Sequence, residues 1–529
     1  MPKVLIADKL SPAAVAIFKE RGLDFDNKPG MTKEELLACV GQYDGIAIRS
    51  ATKITKDVVA AAKKLKVIGR AGIGVDNVDI PAATAAGVIV MNTPFGNSIT
   101  TAEHAISLML ALARELPAAN TSTPSGKWEK NRFMGVEITG KVLGLIGAGN
   151  IGSIVADRAR GLKMRVIAYD PYLSAERAVE LGVEKVELND LLARADFITL
   201  HVPMTPETKN ILSADALART KKGVRIINCA RGGLIDEHAL RAAIDNGHVA
   251  GAALDVFEAE PAKENVLFGS DKVIATPHLG ASTTEAQENV AVQVAEQISD
   301  YLLTGAITNA LNMPSISAAE AKQVKPWIEL AEKLGGFAGQ LTGTSLSQVE
   351  IIYEGTPAAL NTRALTQAAL AGLLMPIMSG VNMVNAPVVA KERGIKVSET
   401  RRDAEGIYEG FIKVVVTMVD ADGAVSTRRV AGTVANGRPR LIQIKDIPME
   451  AEFAPHMFYI VNEDKPGFIG RLGTMLGDAG VNIANFTLGR SAPGQDAICL
   501  VEVDGPVPDK VIQAVAKLPV VKHAKALAF

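Results

Sequence analysis

Short apolar runs alternate with amphipathic stretches along the first part of the chain. Four such runs, KVLIAD, GIAIRS, KVIGRAG and VIVMNTP, lie between residues 3 and 95 and are separated by segments such as TKDVVAAAKKL. A continuous apolar run is typical of a strand buried on both faces, and an amphipathic segment between two such strands is typical of a crossover helix. The pattern therefore predicts a parallel sheet flanked by helices.

The same alternation returns more strongly between residues 141 and 276, with KVLGLIGAG, RVIAYD, FITLHV, VRIINCA, GAALDV and KVIATPH as its strands. We interpret this region as a second doubly wound α/β domain. TTAEHAISLMLALARELP predicts a long apolar helix that Pro117 closes, and TEAQENVAVQVAEQISDYLLTG predicts another that ends at Gly305. These two helices are expected to bridge the two domains.

The pattern changes beyond residue 315. WIELAEKLGGFAGQL predicts a helix, and the alternating strands after it are separated by Asp-Gly and Asn-Gly pairs, which are typical of tight hairpin turns. This indicates an α+β domain over about 315–452. From residue 455 onward the elements read β-α-β-β-α-β, with a helix from Pro466 to Ala479, which is the order of a ferredoxin-like unit.

Composition narrows the classes of partner. A chain of 529 residues is too long for one core, and a net charge of -2 gives it no general attraction to nucleic acid or to an anionic membrane. Cys39, Cys229 and Cys499 lie far apart, which argues against a disulfide framework and a zinc site, so we expect no metal. The N-terminus does not resemble a signal peptide and no stretch has the length of a membrane span, so we expect a cytoplasmic protein without membrane partners.

A dinucleotide fingerprint follows the first strand of the second domain. Gly147, Gly149 and Gly152 form G-x-G-x-x-G between an apolar strand and a helix, and Asp170 closes the next strand. The glycines allow a tight turn, backbone approach to a pyrophosphate and close helix packing, while an acid at the second strand binds the ribose hydroxyls and repels a 2′-phosphate. We predict NAD as the cofactor, and we exclude the incomplete GRAGIGVDN at 69–77 from that role.

An NAD-dependent alcohol dehydrogenase needs a group that takes the hydroxyl proton, and histidine is suited to that task near neutral pH. His278, in TPHLGAST, lies just past a strand end and is followed by small residues that leave room for a substrate. A carboxylate near its ring would favour the protonated form, and Asp255, Glu258 and Glu260 all lie at the end of the preceding strand. The residues alone do not choose among these three acids.

The other six histidines are weaker candidates. His104 is expected to pack in an apolar helix. His201 ends a strand, where doubly wound domains bind ligands, and is a candidate to line the cofactor crevice. The remaining four lie on polar turns or outside the first two domains: His238, His248, His456 and His523.

Arg231 ends an apolar strand, where its permanent charge must face an anion or water. Here VLGLIGAGNIG, NCARGGLIDEHAL, GAALDVFEAEP and TPHLGAST resemble, in order and over about the first 310 residues, the signatures of the D-isomer-specific 2-hydroxyacid dehydrogenases. The resemblance implies that Arg231 binds the substrate carboxylate and carbonyl, that Glu260 supports the histidine, that His278 is the acid/base and that Asp255 holds the nicotinamide amide. The implied cofactor contacts are Gly147, Gly149, Asn150, Ile151, Gly152, Asp170, Cys229, Ala230, Asp255, Gly280 and Ala281.

The whole chain is most similar to the branch of that family that oxidises D-3-phosphoglycerate at the first step of L-serine biosynthesis, whose longer members add an intervening domain and a C-terminal ACT domain. This implies a flavodoxin-like substrate domain and a Rossmann NAD domain, then an intervening α+β domain and a ferredoxin-like ACT domain, in a homo-oligomer, either a dimer or a tetramer. The implied boundaries are 1–97 with 285–313 for the substrate domain, 98–284 for the NAD domain, 314–453 for the intervening domain and 454–529 for the ACT domain.

A phosphorylated substrate needs further cations, and Arg49 and Lys53 follow a strand of the first domain. The resemblance also implies a contribution from Arg132 of the partner subunit, although Lys127, Lys130 and Arg132 are equally consistent with a solvated loop. The expected substrate contacts are Arg49, Ile73, Gly74, Asn97, Ser98 and Arg132.

The ACT-like segment VNEDKPGFIGRLGTMLGDAGVNIANF implies an effector site for L-serine at Asn462, Asp464 and Asn482, in a pattern where some members have His or Tyr instead of Asn462. A purely dimerising ACT domain is the alternative. Basic residues of the intervening domain, Arg438, Arg440 and Lys445, are expected to be solvated.

Two other functions stay open. One is a reductase of hydroxypyruvate or glyoxylate, although such relatives usually lack the two C-terminal domains. The other is an NAD-sensing corepressor on the same two-domain fold, which retains the same catalytic residues.

Overall fold

The computed structural model describes residues 1–342, 346–419 and 424–529. The first sheet has five strands: β1 (Lys3–Ile6), β2 (Asp24–Asn27), β3 (Gly45–Ile48), β4 (Val67–Arg70) and β5 (Ile89–Asn92). They are parallel in the order β2-β1-β3-β4-β5, which is the flavodoxin-like order expected for this unit. Sequence analysis missed β2, because this exposed edge strand, DFDN, has no apolar run. Its crossover helices are α1 (Pro12–Glu20), α2 (Lys33–Cys39), α3 (Lys56–Ala61) and α4 (Ile80–Ala85), with a 3-10 turn at Val40–Gln42.

The second sheet has seven parallel strands: β6 (Val142–Ile146), β7 (Arg165–Tyr169), β8 (Glu184–Lys185), β9 (Phe197–Leu200), β10 (Val224–Asn228), β11 (Val249–Leu254) and β12 (Val273–Ala275). Their order is β12-β11-β10-β9-β6-β7-β8, so the direction of winding reverses between β6 and β9. Ligands of doubly wound sheets bind at the carboxyl ends of the strands beside such a reversal. The predicted Rossmann domain is therefore confirmed, with β8 as an unpredicted edge strand.

Seven helices accompany this sheet: α5 (Ser98–Ala113), α6 (Leu116–Ser122), α7 (Asn150–Gly161), α8 (Ala175–Leu181), α9 (Leu188–Arg194), α10 (Ala214–Ala218) and α11 (Glu237–Asp245), with a 3-10 turn at Thr123–Ser125. The prediction that Pro117 closes a helix was wrong. The helix ends earlier, before Glu115, whose φ of 54° is left-handed. Pro117 lies in the first turn of α6. Proline is tolerated there because the first-turn amides have no partner within the helix.

The next helix, α12 (Thr284–Thr304), returns to the first sheet and ends at Gly305, as predicted. Val294 and Ile298 pack in the same core as Val67. Gly69 of β4 leaves room for them, since a Cβ at Gly69 would lie 2.6 Å from the side chains of both. The helix α12, which follows the second sheet in sequence, therefore packs on the first sheet and forms part of its core.

The third sheet is mixed, and its elements are α13 (Ala318–Leu341), β13 (Leu346–Gly355), a 3-10 turn at Thr356–Ala359, α14 (Thr362–Leu374), α15 (Ala386–Glu392), β14 (Lys396–Arg402), β15 (Gly410–Val419), β16 (Val425–Ala435), β17 (Arg438–Ile444) and β18 (Ile447–Glu452). The order is β14-β13-β15-β16-β17-β18. The predicted Asn-Gly turn joins β16 to β17, with left-handed φ values of 51° at Asn436 and 73° at Gly437. The predicted Asp-Gly pair, at 422–423, lies outside the described residues.

The fourth sheet is antiparallel, and its elements are β19 (His456–Glu463), α16 (Phe468–Asp478), β20 (Ile483–Arg490), β21 (Asp496–Val503), α17 (Asp509–Ala516) and β22 (Val521–Ala528). The order β20-β21-β19-β22 confirms the predicted ferredoxin-like unit. Tyr459 on its helix-free face meets Phe337 of α13 edge-on at 5.6 Å between ring centroids. The fourth sheet therefore shares a core with the third.

Across the described ranges, the helices are all too short or too polar to cross a membrane. The four domain boundaries stay predictions.

Candidate active site

A cavity of about 670 Å³ lies between the first two sheets, and both contribute side chains to its wall. Arg49 directly follows β3 and Arg70 ends β4. Glu260 and His278 follow β11 and β12. Because the strands of each sheet are parallel, their carboxyl ends lie along one edge, and the segments that follow them converge on the cavity.

His278 and Glu260 form a hydrogen-bonded pair at this cavity. The ring Nδ1 lies 2.7 Å from Oε2 of Glu260, whose Oε1 accepts the backbone N–H of Phe257 at 3.1 Å. An ionised carboxylate only accepts, so Nδ1 carries the hydrogen and Nε2 of the neutral ring is a base. The hydrogen bond to Glu260 raises the pKa of His278 against the opposing effect of burial. Burial opposes the ionised Glu260 most strongly, but the hydrogen bonds from His278 and from the Phe257 amide, together with the charge of His278, outweigh it and the pKa of Glu260 is lowered.

The turn that carries His278 is held by a buried carboxylate. His278 has a left-handed φ of 57°, which is uncommon for a residue with a side chain. Oδ1 of Asp255 accepts the Thr276 hydroxyl at 2.5 Å and the Leu279 amide at 2.7 Å, and Oδ2 accepts the Gly280 amide at 2.7 Å. Asp255, predicted to hold the nicotinamide, thus fixes the His278 turn, and its role toward the cofactor stays a prediction.

Arg231 reaches the cleft from the segment after β10. Its Nε donates to Asp76 at 3.0 Å and its Nη1 to the carbonyl of Ala230 at 2.7 Å. Asp76 is 73% exposed, so this ion pair is weak and a substrate carboxylate can replace it. Gly74 lies against the guanidinium, since a Cβ there would be 1.8 Å from Nη2, and its predicted contact with substrate stays a prediction.

Sequence reasoning missed Arg70. Its Nε is buried and lacks a hydrogen-bond partner among the described residues, while its Nη1 donates only to the carbonyl of Ala71 at 3.3 Å. Burial, with Arg231 nearby, lowers its pKa to about 10. The signal was present in KVIGRAG, because Arg70 ends an apolar strand just as Arg231 does. Together with Arg49, which was predicted, it gives this side of the cavity a positive charge.

Of the predicted substrate-loop residues, Asn97 lines the cavity. Its Oδ1 is buried and has no hydrogen-bond partner in the described part of the chain. Ser98 is not brought to the cavity, because it lies in the first turn of α5 and its hydroxyl donates to the carbonyl of Pro94 at 2.9 Å. The carbonyl of Ile73 accepts a hydrogen bond from the side-chain amide of Asn92 at 2.7 Å, and its predicted contact with substrate stays a prediction.

Arg132 lies outside this cavity within one chain. Its guanidinium pairs with Glu129 at 3.1 Å and with Asp271 at 2.6 Å. Its predicted contact across a subunit interface stays a prediction.

The glycine loop after β6 fits a dinucleotide. Gly147 has φ 94°, and a Cβ there would lie 2.6 Å from the carbonyl oxygen of His201. A Cβ at Gly152 would lie 2.1 Å from the carbonyl oxygen of Gly147, so α7 packs directly on the turn. A Cβ at Gly149 would meet nothing within 4 Å, which leaves open space where a pyrophosphate can approach. Asn150 and Ile151 begin α7, so the amides of its first turn face the same space.

The predicted ribose acid lies at the end of β7 beside this loop. Oδ2 of Asp170 accepts the Ala148 amide at 2.9 Å and Oδ1 accepts the Tyr172 amide at 2.8 Å. Both oxygens retain lone pairs for ribose hydroxyls.

The remaining predicted cofactor contacts lie on the segments after β10 and β12. The amide of Ala230 donates to Oδ1 of Asn228 at 3.0 Å, and the carbonyl of Ala281 accepts from the side-chain amide of Gln287 at 3.1 Å. Cys229 is buried, and burial raises the pKa of its thiol, which makes it a packing residue rather than a nucleophile.

Two other histidines lie close to the site. His201 is buried with Nε2 2.9 Å from the Thr199 hydroxyl, and burial lowers its pKa to about 3, so it stays neutral. His104, expected only to pack, has Nε2 3.2 Å from Oδ1 of Asp255. No spacing in the sequence links these two positions, because α5 and β11 meet only in the folded chain.

The three predicted effector residues do not meet within one chain. Asn462 is buried, and its Oδ1 accepts a hydrogen bond from the Cys499 thiol at 3.4 Å. Asp464 forms an ion pair with Arg490 at 2.8 Å. Asn482 precedes β20 and donates to Asp504 at 2.7 Å.

Comparison with known proteins agrees with this architecture. Family models match three segments: the NAD-binding domain of D-isomer-specific 2-hydroxyacid dehydrogenases at residues 106–280, the intervening domain of D-3-phosphoglycerate dehydrogenase at 323–445 and the ACT domain at 456–520. The chain is 43% identical to a D-3-phosphoglycerate dehydrogenase of Synechocystis, over 99% of this chain and 94% of that protein. It is 44% identical to the D-3-phosphoglycerate dehydrogenase of Methanocaldococcus jannaschii, over 100% of both chains.

A solved structure is similar to part of this chain. The glyoxylate reductase from Paecilomyes thermophila is 30% identical with a TM-score of 0.55, over 59% of this chain and 98% of that protein. The remainder of this chain therefore has no counterpart in that reductase.

Proposed function

The chain belongs to the family of D-3-phosphoglycerate dehydrogenases, and on that premise we propose that it oxidises D-3-phosphoglycerate to 3-phosphohydroxypyruvate, the first step of L-serine biosynthesis. One observation carries the proposal: the His278–Glu260 pair and the two cations Arg49 and Arg70 line one cleft, and Arg231 lies close enough to lower the pKa values of both His278 and Arg70. A phosphorylated 2-hydroxy acid presents a hydroxyl, a carboxylate and a phosphate, and this cleft offers a partner for each.

Arg231 orients the substrate. A planar guanidinium pairs bidentately with an α-carboxylate and also polarises the adjacent oxygen at C2, where charge changes during the reaction. Displacement of the exposed Asp76 frees Nε for this contact.

His278 moves the proton. In oxidation its Nε2 takes the hydrogen of the C2 hydroxyl, and the carbinol C–H bond breaks as a carbonyl forms. The loop after β6 and Asp170 would hold NAD, which would supply the acceptor for the hydride of C2. The imidazolium that results is stabilised by Glu260 through Nδ1, and reduction of the keto acid reverses each transfer.

Arg70 and Arg49 bind the phosphate. Both guanidiniums line the cavity, and the structure pairs neither with a carboxylate among the described residues. Burying a cation without a counter-ion is unfavourable, so a dianionic phosphate stabilises this wall.

The test is an initial-rate comparison of NADH oxidation with 3-phosphohydroxypyruvate and with hydroxypyruvate, each with and without L-serine. We expect a strong preference for the phosphorylated acid and loss of that preference in Arg70→Gln. Arg177→Gln, which removes an exposed arginine paired with Glu180, is the matched control. Equal use of both acids would instead indicate a general reductase of hydroxypyruvate or glyoxylate, and absence of ordinary turnover would favour an NAD-sensing binding protein.

Regulation and assembly belong to the same proposal. L-Serine is the proposed effector of the ACT domain, and the chain is proposed to act as a homo-oligomer in which Arg132 reaches the cleft of the partner subunit.

A further inference from the structure

We infer that His104 is a positioning residue for the reaction: it holds Asp255, which holds the turn that carries His278. The inference rests on the proposed function, because it concerns how well His278 exchanges its proton. Nothing in the sequence spacing connects His104 with His278, and the connection exists only through α5, β11 and the turn after β12.

The contact of His104 with this turn is direct. Its Nε2 lies 3.2 Å from Oδ1 of Asp255 and 3.3 Å from the hydroxyl oxygen of Thr276. The Thr276 hydroxyl gives its own hydrogen to the ionised Asp255, so Nε2 of His104 carries a hydrogen and donates it to the Thr276 hydroxyl oxygen, with Oδ1 of Asp255 close beside it. The Thr276 hydroxyl donates to the same oxygen of Asp255 at 2.5 Å.

The carboxylate that receives this bond is sealed from solvent. Asp255 is 0% exposed. Among the described residues, its side chain accepts hydrogen bonds from Thr276, Leu279 and Gly280, which all belong to the turn, and it has one charge contact, with Nε2 of His104. His104 is therefore its one polar partner from outside that turn in the described part of the chain, and it joins the turn to a long helix.

A second bond from the same face of α5 clamps the turn. The hydroxyl of Thr101, three residues before His104, donates to the carbonyl of Gly280 at 2.8 Å. Residues three apart lie on one helix face, so α5 contacts the turn at two points, through Thr101 and through His104. This support matters because the left-handed backbone of His278 persists only where its surroundings enforce it.

The expected consequence of losing His104 follows from the groups that face His278. Glu260 and Asp255 raise its pKa, and Arg231 and burial lower it. When the turn loosens, the Nδ1 hydrogen bond to Glu260 weakens first, and it is the largest cause of the raised pKa. The pKa of His278 then falls toward its ordinary value of about 6.5.

The experiment compares His104→Leu with His104→Gln, whose amide nitrogen restores a donor. Oxidation requires neutral His278, so kcat rises with pH through the pKa of that residue in the bound complex. We expect His104→Leu to move this acid limb to lower pH and to reduce the maximal kcat about 10-fold, with little change in KM for NAD. His104→Gln should recover most of both effects.

His248→Leu is the matched control. Its Nε2 bonds the Thr220 hydroxyl at 3.1 Å in the same domain, away from the cleft, so it tests the loss of a comparable histidine contact. His248→Leu should lower Tm and leave the acid limb in place. In the double variant His104→Leu/Glu260→Gln the limb should move no further than in Glu260→Gln alone, because both act through one hydrogen bond.

An acid limb and kcat of His104→Leu equal to those of the wild type, with Tm lowered as in His248→Leu, would reduce His104 to a packing residue. That outcome is distinct from failure of the proposed function, which would appear in the wild type as absence of NAD-dependent oxidation of D-3-phosphoglycerate.

Discussion

The cleft and the C-terminal sheet differ in whether a single chain brings the predicted site residues together. In the cleft, Arg231 bonds Asp76 across 155 positions of sequence. In the C-terminal sheet, Asn462 and Asn482 are far closer in sequence, yet each bonds elsewhere. Sequence distance is therefore a poor guide to which residues share a site.

Strand direction explains the difference. Parallel strands end at one edge, so residues that follow β3, β4, β11 and β12 meet. In the fourth sheet, β19 and β20 both run antiparallel to β21 and so run parallel to each other. The last residue of β19 and the first residue of β20 therefore lie at opposite ends of the strands. Register along β21 separates Asn462 from Asn482 by roughly 20 Å at about 3.3 Å per residue. A serine molecule that touches both needs a second copy of the domain.

The strongest test of the single-chain cleft is His278→Ala. Because the proposed function assigns the acid/base role to this ring, we expect kcat to fall about 10²-fold or more while NADH binding, measured by fluorescence titration, is unchanged. His248→Ala serves as the control. Turnover close to wild type would mean that the cleft does not centre on His278.

The sheet units were predictable because apolar runs and glycine turns are local signals. VLGLIGAGNIG specified β6, the loop and the start of α7, and the Asn-Gly pair specified the turn after β16. β2 and β8 were not predicted, because short exposed edge strands need no apolar run. The end of α5 was misplaced because proline suits a first turn as well as it ends a helix.

Contacts within the cleft were predictable only where chain neighbours or family motifs fixed them. The residues alone left Asp255, Glu258 and Glu260 equal, and the fold separates them, since Glu260 meets the ring while Asp255 holds its turn. The links of His104 to Asp255 and of Gly74 to Arg231 depend on packing between elements, which no local pattern encodes.

Arg231→Lys tests whether the cleft recognises a carboxylate by geometry or by charge. A lysine keeps the charge and loses the planar fork, so we expect kcat/KM for 3-phosphohydroxypyruvate to fall roughly 10- to 100-fold. Steady-state kinetics measure it, with Arg177→Lys as the exposed control. An unchanged kcat/KM would show that charge alone suffices.

Glu260→Gln tests the electrostatic half of the catalytic pair. Glu260 raises the pKa of His278, so its removal lets that pKa fall. The acid limb of oxidation, which needs the neutral ring, then shifts to lower pH, and reduction, which needs the protonated ring, loses rate at lower pH than in the wild type. Glu258→Gln is the matched control from the same loop, and it should leave both limbs in place. An identical shift in the two variants would contradict the assignment.

The smallest effects are expected in the C-terminal sheet, where Asp464→Ala and Asn482→Ala should each weaken L-serine inhibition about fivefold or more without changing kcat in its absence. Asn485→Ala, which removes an exposed asparagine that bonds Glu502, is the control. If the effector site joins Asp464 of one subunit to Asn482 of its partner, co-expression of the two single variants regenerates one intact site in each mixed dimer. Inhibition should then return in part, which no single-chain site allows. Full inhibition in Asn482→Ala would remove that residue from the site, and a wild type insensitive to serine would leave this sheet a dimerising unit.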